Sequence, residues 1–437
     1  MAPKKKGDSE DAGKKVKKEK KEVDNTISRS DRAAALIERV NKTMKGHAQI
    51  KAASEYELPF MTKRLPTGLL QLDLELRGGF PAGGISQIVG PKNSGKTYLV
   101  WQVIRQQQFF KGEDLMVLLA MTEMRADRTQ ARLAGVQISL GNDDIKELER
   151  ARTEQGLPKF TKEEVAALRK EVGKIHEVHG ESAEVLFDVV LDAVHNNAYH
   201  LIIIDSFGSI MSAAEAENES LSDKTYGGAA KPITEFLRKL CSMLTMDDGT
   251  GHARDVCLIG INQVRDVIGE GGGGKDYKSP GGRALEHAKF VDLLVTSGKQ
   301  IGLEEPVYTS DGTKKRWVQT GKEVNWKIEK GKAGIHEGGK GSYIFDFRTG
   351  AGDFYLDTVV AGVRYGIIEQ AGAWMGILDP EREGEYLLRT NGRDAFIQAL
   401  ADDVTAKMAV DDPNTFMNYI RIQALQKQGI YINFDWK

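Results

Sequence analysis

"ISQIVGPKNSGKTYLV", residues 85–100, sets a short apolar run against a glycine-rich turn and then a second apolar run at helical spacing. Gly90, Gly95, Lys96 and Thr97 occupy the fixed positions of G-x-x-x-x-G-K-[ST]. The run before the turn reads as a buried strand and the run after it as a helix, the context that this motif requires. Glycines let backbone N–H groups close around phosphate oxygens, and the start of the helix adds its positive end. Gly90, Pro91, Lys92, Asn93, Ser94, Gly95, Lys96, Thr97 and Tyr98 are therefore the expected nucleotide cradle. Lys96 should reach the β- and γ-phosphates, and Thr97 should hold Mg²⁺ through its hydroxyl.

Outward from the turn, apolar strands alternate with helical patterns. "LMVLLAMTE" (115–123), "LIIIDS" (201–206) and "VCLIGINQ" (256–263) are strands apolar on both faces, and "ESAEVLFDVVLDAV" (181–194) and "ITEFLRKLCSML" (233–244) are helices between them. That alternation predicts an α/β fold with a mainly parallel sheet covered on both sides. Asp205 ends a buried strand, where a carboxylate faces the ligand crevice and can hold Mg²⁺ with Thr97. Glu123 closes a neighbouring strand. It is the candidate general base, with an ordinary surface glutamate as the open alternative.

A charged stretch at about 141–173 interrupts the rhythm. Thr161 and Glu164 form a capping-box pattern, and Val165, Leu168 and Val172 share a helical face, so a helical hairpin inserted at the sheet edge is expected. "KIHEVHG" (174–180) then reads as a strand. His176 and His179 lack a third partner for a metal. Near the start, residues 1–27 are rich in lysine and poor in apolar residues, so they are expected to be disordered. Ser28 and Asp31 offer a cap for a helix bearing Leu36, Ile37, Val40 and Met44, which needs a surface to cover. The expected divisions are this tail, a helix and linker at 28–62, a core at 63–350, and a C-terminal domain at 351–437. Within the last, "FYLDTVVAGVRYGIIEQAGAW" (354–374) reads as helical.

The chain has 437 residues, is 40% hydrophobic and carries a formal charge of -2, so overall charge selects no partner. Two cysteines, Cys241 and Cys257, exclude a disulfide framework and suit a reducing, cytoplasmic setting. No apolar run has the length of a membrane span. Two long loops after strands, 213–231 and 265–287, cannot pack as core. Their glycines and cations suit a nucleic-acid backbone. Lys224, Thr225, Tyr226, Gly227 and Lys231 in the first, and Arg265, Ile268, Lys275, Lys278, Gly281, Gly282 and Arg283 in the second, are the candidate DNA contacts. Tyr226 could stack on bases. Gln263, at the root of the second loop, is a candidate nucleotide sensor.

These segments resemble the RecA recombinases of bacteria and phages. The likeness runs through residues 65–97, "TEMRADRTQARLAGV", "LIIIDS", "GINQVR", "SPGGRAL", "IEKGKAG" and "EQAGAW" in family order across roughly residues 28–400. The resemblance implies an ATP- and Mg²⁺-dependent DNA recombinase, a DNA-stimulated ATPase that forms a helical filament on single-stranded DNA and pairs it with homologous duplex. A ring-forming helicase and a DNA-binding mediator ATPase are the alternatives. The resemblance also implies that Glu123 is catalytic and that Gln263 couples ATP to the DNA loops. Lys330 and Lys332 would reach a neighbouring subunit's ATP, Asp127 and Gln130 would lie at the base, and the helix near Ser28 would pack on the adjacent subunit. Gln130 stands where the family has an aromatic residue against adenine, and His287 replaces an aromatic residue. The insertion at 141–173 is absent from typical members. The resemblance is thus to a divergent member.

Overall fold

The computed structural model describes residues 28–44, 50–56, 58–122, 126–207, 230–247, 252–266, 277–278, 282–309, 312–347, 351–406 and 415–431. The chain divides after Tyr56 into two units. In the first, helix α1 (Arg29–Thr43) starts where expected. Ser28 Oγ accepts from the Asp31 amide at 3.1 Å and donates to the Asp31 carboxylate at 2.6 Å. No residue of α1 is buried, and Leu36, Ile37 and Met44 are exposed.

The second unit is built on a nine-stranded sheet. Its strands are β1 (Gly84–Gly90), β2 (Met116–Met121), β3 (Lys174–His179), β4 (Leu201–Asp205), β5 (Cys257–Gln263), β6 (Val291–Thr309), β7 (Gly312–Gly331), β8 (Lys340–Asp346) and β9 (Ala351–Gly352). They lie in the order β9-β8-β7-β6-β1-β5-β4-β2-β3. From β6 to β3 every neighbouring pair is parallel, and from β6 to β9 every pair is antiparallel.

Alternation along the strands explains burial on both faces. Leu201 and Ile203 of β4 join one core with Leu99 and Val103 of α3 (Lys96–Lys111). Ile202 and Ile204 join the opposite core with α7 (Ala183–His195) and α8 (Ala230–Leu244). Helix α7 buries Leu186, Phe187, Val190, Leu191 and Val194. Each such side chain contributes about 1.5–3 kcal/mol on burial. Phe187 stacks on Phe236 of α8 with centroids 4.2 Å apart.

Helix α2 (Leu70–Glu75) precedes β1, and α4 (Arg128–Leu133) follows β2. The insertion is a helical pair, α5 (Asn142–Glu154) and α6 (Lys162–Arg169), leading into edge strand β3. Thr161 and Glu164 form the expected capping box. The pair is tied to α4: Arg128 meets the Asp144 carboxylate at 2.8 Å, and Arg132 donates to the carbonyls of Ile138, Ala167 and Lys170.

The C-terminal part departs from the expected continuous helix at 354–374. Helix α10 (Phe354–Arg364) stops ahead of Gly366, whose φ is 63°. The following residues form the hairpin β10 (Ile368–Ala371) and β11 (Trp374–Leu378), with Ala371 opposite Trp374 and Gly372 in the turn at φ 63°. Ile368 and Ile377 are cross-strand partners and both are buried, so pairing across the hairpin outweighs the helical pattern read from the sequence. Strand β12 (Tyr386–Asn391) completes an antiparallel sheet of three, and α11 (Arg393–Ala406) and α12 (Phe416–Lys427) pack with it. Their core includes Leu70 and Leu74 of α2, so this part shares a core with the start of the main sheet region.

Candidate nucleotide site

β1 is buried at all seven positions and runs straight into the phosphate loop. A Cβ on Gly90 would lie 2.0 Å from the Val295 carbonyl of β6 and 2.8 Å from Ser94 Oγ, so only glycine lets the loop leave the sheet here. Asn93 and Gly95 take left-handed conformations, with φ 60° and 108°. Alternating handedness turns successive backbone N–H groups toward one concavity. α3 starts at Lys96 with Gly95 as a cap that has no side chain to offer. Its first N–H groups are therefore left for an anion.

Lys96 is only 7% exposed, and its Nζ donates to the carbonyls of Gly90 at 2.9 Å and Pro91 at 2.6 Å. Ser94 Oγ is buried without a hydrogen-bond partner among the described residues. An orphaned hydroxyl, a buried ammonium and an uncapped helix start in one loop fit a polyphosphate. The outer side of the loop is pinned by contacts absent from the motif. Ser297 Oγ donates to the Asn93 carbonyl at 3.3 Å, and Lys322 Nζ donates to the same oxygen. Tyr98 points elsewhere. Its ring packs edge-on against Phe345 with centroids 4.3 Å apart, and its hydroxyl accepts from the Gly352 amide, leaving only its backbone for the nucleotide.

Strand register gathers the remaining candidates. Gly90 is opposite Gln263, Ile261 is opposite Asp205, and Asp205 is opposite Met121. The carboxyl ends of β1, β5, β4 and β2 thus lie side by side. Gln263 is exposed, and its amide donates to Asn262 Oδ1 at 3.1 Å. Asp205 is half-buried and precedes a cis peptide bond to Ser206. Among the described residues, no group of three or more His, Cys, Asp or Glu could hold a metal. A Mg²⁺ here would rest on Thr97, which is half-buried, on Asp205 and on phosphate oxygens, a donor set suited to that ion. On β3, His176 Nδ1 meets the Tyr199 hydroxyl at 3.0 Å and His179 Nε2 meets Glu177 at 2.8 Å.

Sequence reasoning missed Thr122. Its amide donates to the Asp205 carbonyl at 2.7 Å. Its Oγ1 lies 3.0 Å from the same oxygen, 3.1 Å from the Ser206 carbonyl and 2.8 Å from the Ser206 amide, which donates to it. Thr122 therefore ties the end of β2 to the end of β4, one residue before Glu123. The signal was a threonine at a strand end, which local pattern does not distinguish from any other. Glu123 itself lies outside the described residues, as do Lys224, Thr225, Tyr226, Gly227, Ile268, Lys275 and Gly281.

Asp127 caps α4 by accepting from the Gln130 amide at 2.9 Å, and both residues are exposed. Lys231 is exposed in the first turn of α8. At the root of the second loop, Arg265–Asp266 pairs antiparallel with Tyr277–Lys278, with Arg265 opposite Lys278. Helix α9 (Gly282–Ala288) follows, with Arg283 exposed. Lys330 and Lys332 both end on α9: Lys330 Nζ donates to the Glu286 carbonyl, and Lys332 Nζ to the His287 carbonyl at 2.8 Å. Cations are favourable at a helix carboxyl end. Burial, and then the nearby Lys332 and Lys289, pull the Lys330 pKa below its ordinary value.

No described helix is long and apolar enough to cross a membrane. The RecA N-terminal domain family matches residues 167–328, the stretch from α6 through β7. The protein named Protein RecA of Chlorobaculum parvum is 28% identical over 350 residues, covering 80% of this chain and 81% of its own length. Protein RecA of Solidesulfovibrio magneticus is 28% identical over 345 residues, with 77% and 78% covered. Protein RecA of Thermus aquaticus is 28% identical over 333 residues, with 74% and 80% covered. With an uncapped phosphate loop on β1 and candidate site residues at the ends of the strands beside it, the chain is similar to the RecA proteins over about four-fifths of its length, at 28% identity.

Proposed function

We propose that the chain is an ATP-dependent DNA recombinase that polymerises on single-stranded DNA, pairs it with homologous duplex and exchanges strands. The observation that carries this reading is the register of β1 and β5. The strand that opens into the phosphate loop lies beside the strand that leads to the second long loop, with Gly90 opposite Gln263. Similarity to proteins named RecA over about four-fifths of the chain supports it.

In this reading Lys96 and the loop amides bind the triphosphate. Thr97 and Asp205 hold Mg²⁺, which when bound offsets phosphate charge. Glu123 orients the attacking water, and Asp127 and Gln130 lie toward the base. Gln263 meets the terminal phosphate and passes its presence to the second loop. Lys224, Thr225, Tyr226, Gly227, Lys231, Arg265, Ile268, Lys275, Lys278, Gly281, Gly282 and Arg283 contact DNA. The exposed Leu36 and Ile37 of α1 pack on an adjacent copy. Lys330 and Lys332 reach that copy's ATP, exchanging the carbonyls of α9 for phosphate.

The test is strand exchange between single-stranded circles and homologous linear duplex, with electron microscopy in a slowly hydrolysed ATP analogue. Joint molecules and long helical filaments are expected. Closed rings with duplex unwinding and no homologous pairing would replace the reading with a helicase. DNA binding with negligible turnover would replace it with a mediator.

A further inference from the structure

Lys289 is wholly buried, just past α9. Its ammonium has three donors, and three acceptors from separate parts of the fold meet it. They are Gln87 Oε1 of β1 at 3.2 Å, Glu286 Oε1 of α9 at 2.7 Å and Asp292 Oδ2 of β6 at 2.5 Å. Gln87 and Asp292 are direct partners across β1 and β6. Asp292 is in turn the direct partner of Lys330 across β6 and β7. A polar row therefore crosses three adjacent strands, from a residue three positions before Gly90 to one of the lysines that end on α9. Glu286 is the node on the helix. Lys289 holds its carboxylate, and Lys330 holds its carbonyl.

Stability alone does not account for an arrangement of this kind. Replacing a buried ion pair with apolar side chains of similar volume is often neutral or stabilising. A saturated ammonium instead fixes the relative placement of the groups around it. Close-packed interiors transmit a displacement rather than absorb it.

We propose that Lys289 is a positioning residue that couples the phosphate-loop strand to α9, the helix behind the second loop. When nucleotide draws the loop and the end of β1 together, Gln87 shifts against Lys289. The shift passes to Glu286 and hence to α9. The same row sets how readily Lys330 leaves the Glu286 carbonyl. The proposal deepens the function proposed above, because α9 matters to DNA only if the second loop binds it.

The experiment is amide hydrogen exchange of peptides spanning 282–292 in the full chain, with and without a slowly hydrolysed ATP analogue and Mg²⁺, in the absence of DNA. In the unaltered protein the analogue should change exchange in this segment at least threefold. In the double variant Lys289→Met with Asp292→Asn, which leaves no buried lone charge, the response should vanish while analogue affinity stays within twofold. Glu286→Gln alters a side chain that is half-exposed, and it should halve the response or more while folding normally. An unaltered protein without a response, or variants that bind analogue and keep the full response, would overturn the proposal. DNA-stimulated turnover is measured in parallel. If the α9 response is present but DNA neither binds nor stimulates, the recombinase reading falls and the coupling stands.

Discussion

Thr122→Val tests whether one hydroxyl braces the Asp205–Ser206 backbone against the end of β2. Valine keeps the volume and β-branching of threonine, so packing at the end of β2 changes little. It removes the group that accepts from the Ser206 amide at 2.8 Å and lies against the carbonyls of Asp205 and Ser206. A net hydrogen bond is worth about 0.5–1.5 kcal/mol, and withdrawing an acceptor from a buried N–H costs about 1–3 kcal/mol. Ser206 is buried, so the upper range applies, and a loss on the order of 2 kcal/mol is expected. The backbone bond from the Thr122 amide to Asp205 survives, so β2 and β4 should stay paired while the Asp205–Ser206 backbone loses a tether. Asp205 ends one of these strands, and Glu123 follows Thr122 in sequence. Turnover should fall about tenfold, equivalent to about 1.4 kcal/mol of barrier. Analogue affinity should hold within about twofold, because no atom of the phosphate loop is touched; twofold is about 0.4 kcal/mol. The assay pairs urea denaturation with steady-state ATPase and analogue titration, using Thr122→Ser as the control that restores the hydroxyl. A valine variant with unaltered turnover, or a serine variant as impaired as valine, would refute the reasoning.

Three further outcomes are expected. Gly90→Ala places a methyl against the Val295 carbonyl, so β1 and β6 must separate; nucleotide binding should be lost, and calorimetric titration retaining wild-type affinity would contradict this. Asp357 is held up to about 7, chiefly by burial, so its folded carboxyl keeps the proton more tightly than the unfolded one. The stability this contributes is full below about pH 4 and drains away as pH rises toward 7, at about 1.4 kcal/mol per pH unit. Asp357→Asn should therefore flatten the fall in denaturation midpoint across that window, and an unchanged slope would show that Asp357 does not titrate there. Finally, Lys275→Ala with Lys278→Ala should reduce the dependence of DNA affinity on salt by roughly two counterions' worth of slope, each phosphate contact contributing about 0.7 on a single strand. The measurement is affinity against salt concentration at saturating analogue, and an unaltered slope would remove these lysines from the DNA surface.

Much of the candidate nucleotide site was legible because its demands are local. Positive φ at Gly95, a strand before it and a helix after it are properties of neighbours in sequence, and so is the capping box at Thr161. The α/β layering was legible for the same reason. Strands apolar at every position can only be covered on both faces. Asp205 and Gln263 were found as strand-end polar residues, although nothing local said that their strands would be neighbours. The segment 368–374 was misread because "GIIEQAGAW" carries apolar residues at spacings that serve a helix or a hairpin, and pairing across Gly372 decided between them.

The sequence by itself determined where the glycine-rich turn lies between a strand and a helix, which runs become strands and helices, and where the helical insertion begins. Each follows from backbone sterics or from the periodicity of burial within one segment. The tertiary structure alone decided that Gly90 faces Gln263, that Thr122 braces Asp205, and that Lys330 and Lys332 end on α9. It alone turned Lys289, in sequence an unremarked lysine after a helix, into a buried ammonium shared by β1, α9 and β6. Those contacts join residues far apart along the chain. Their partners are chosen by strand order and register, which are settled by packing of the whole sheet.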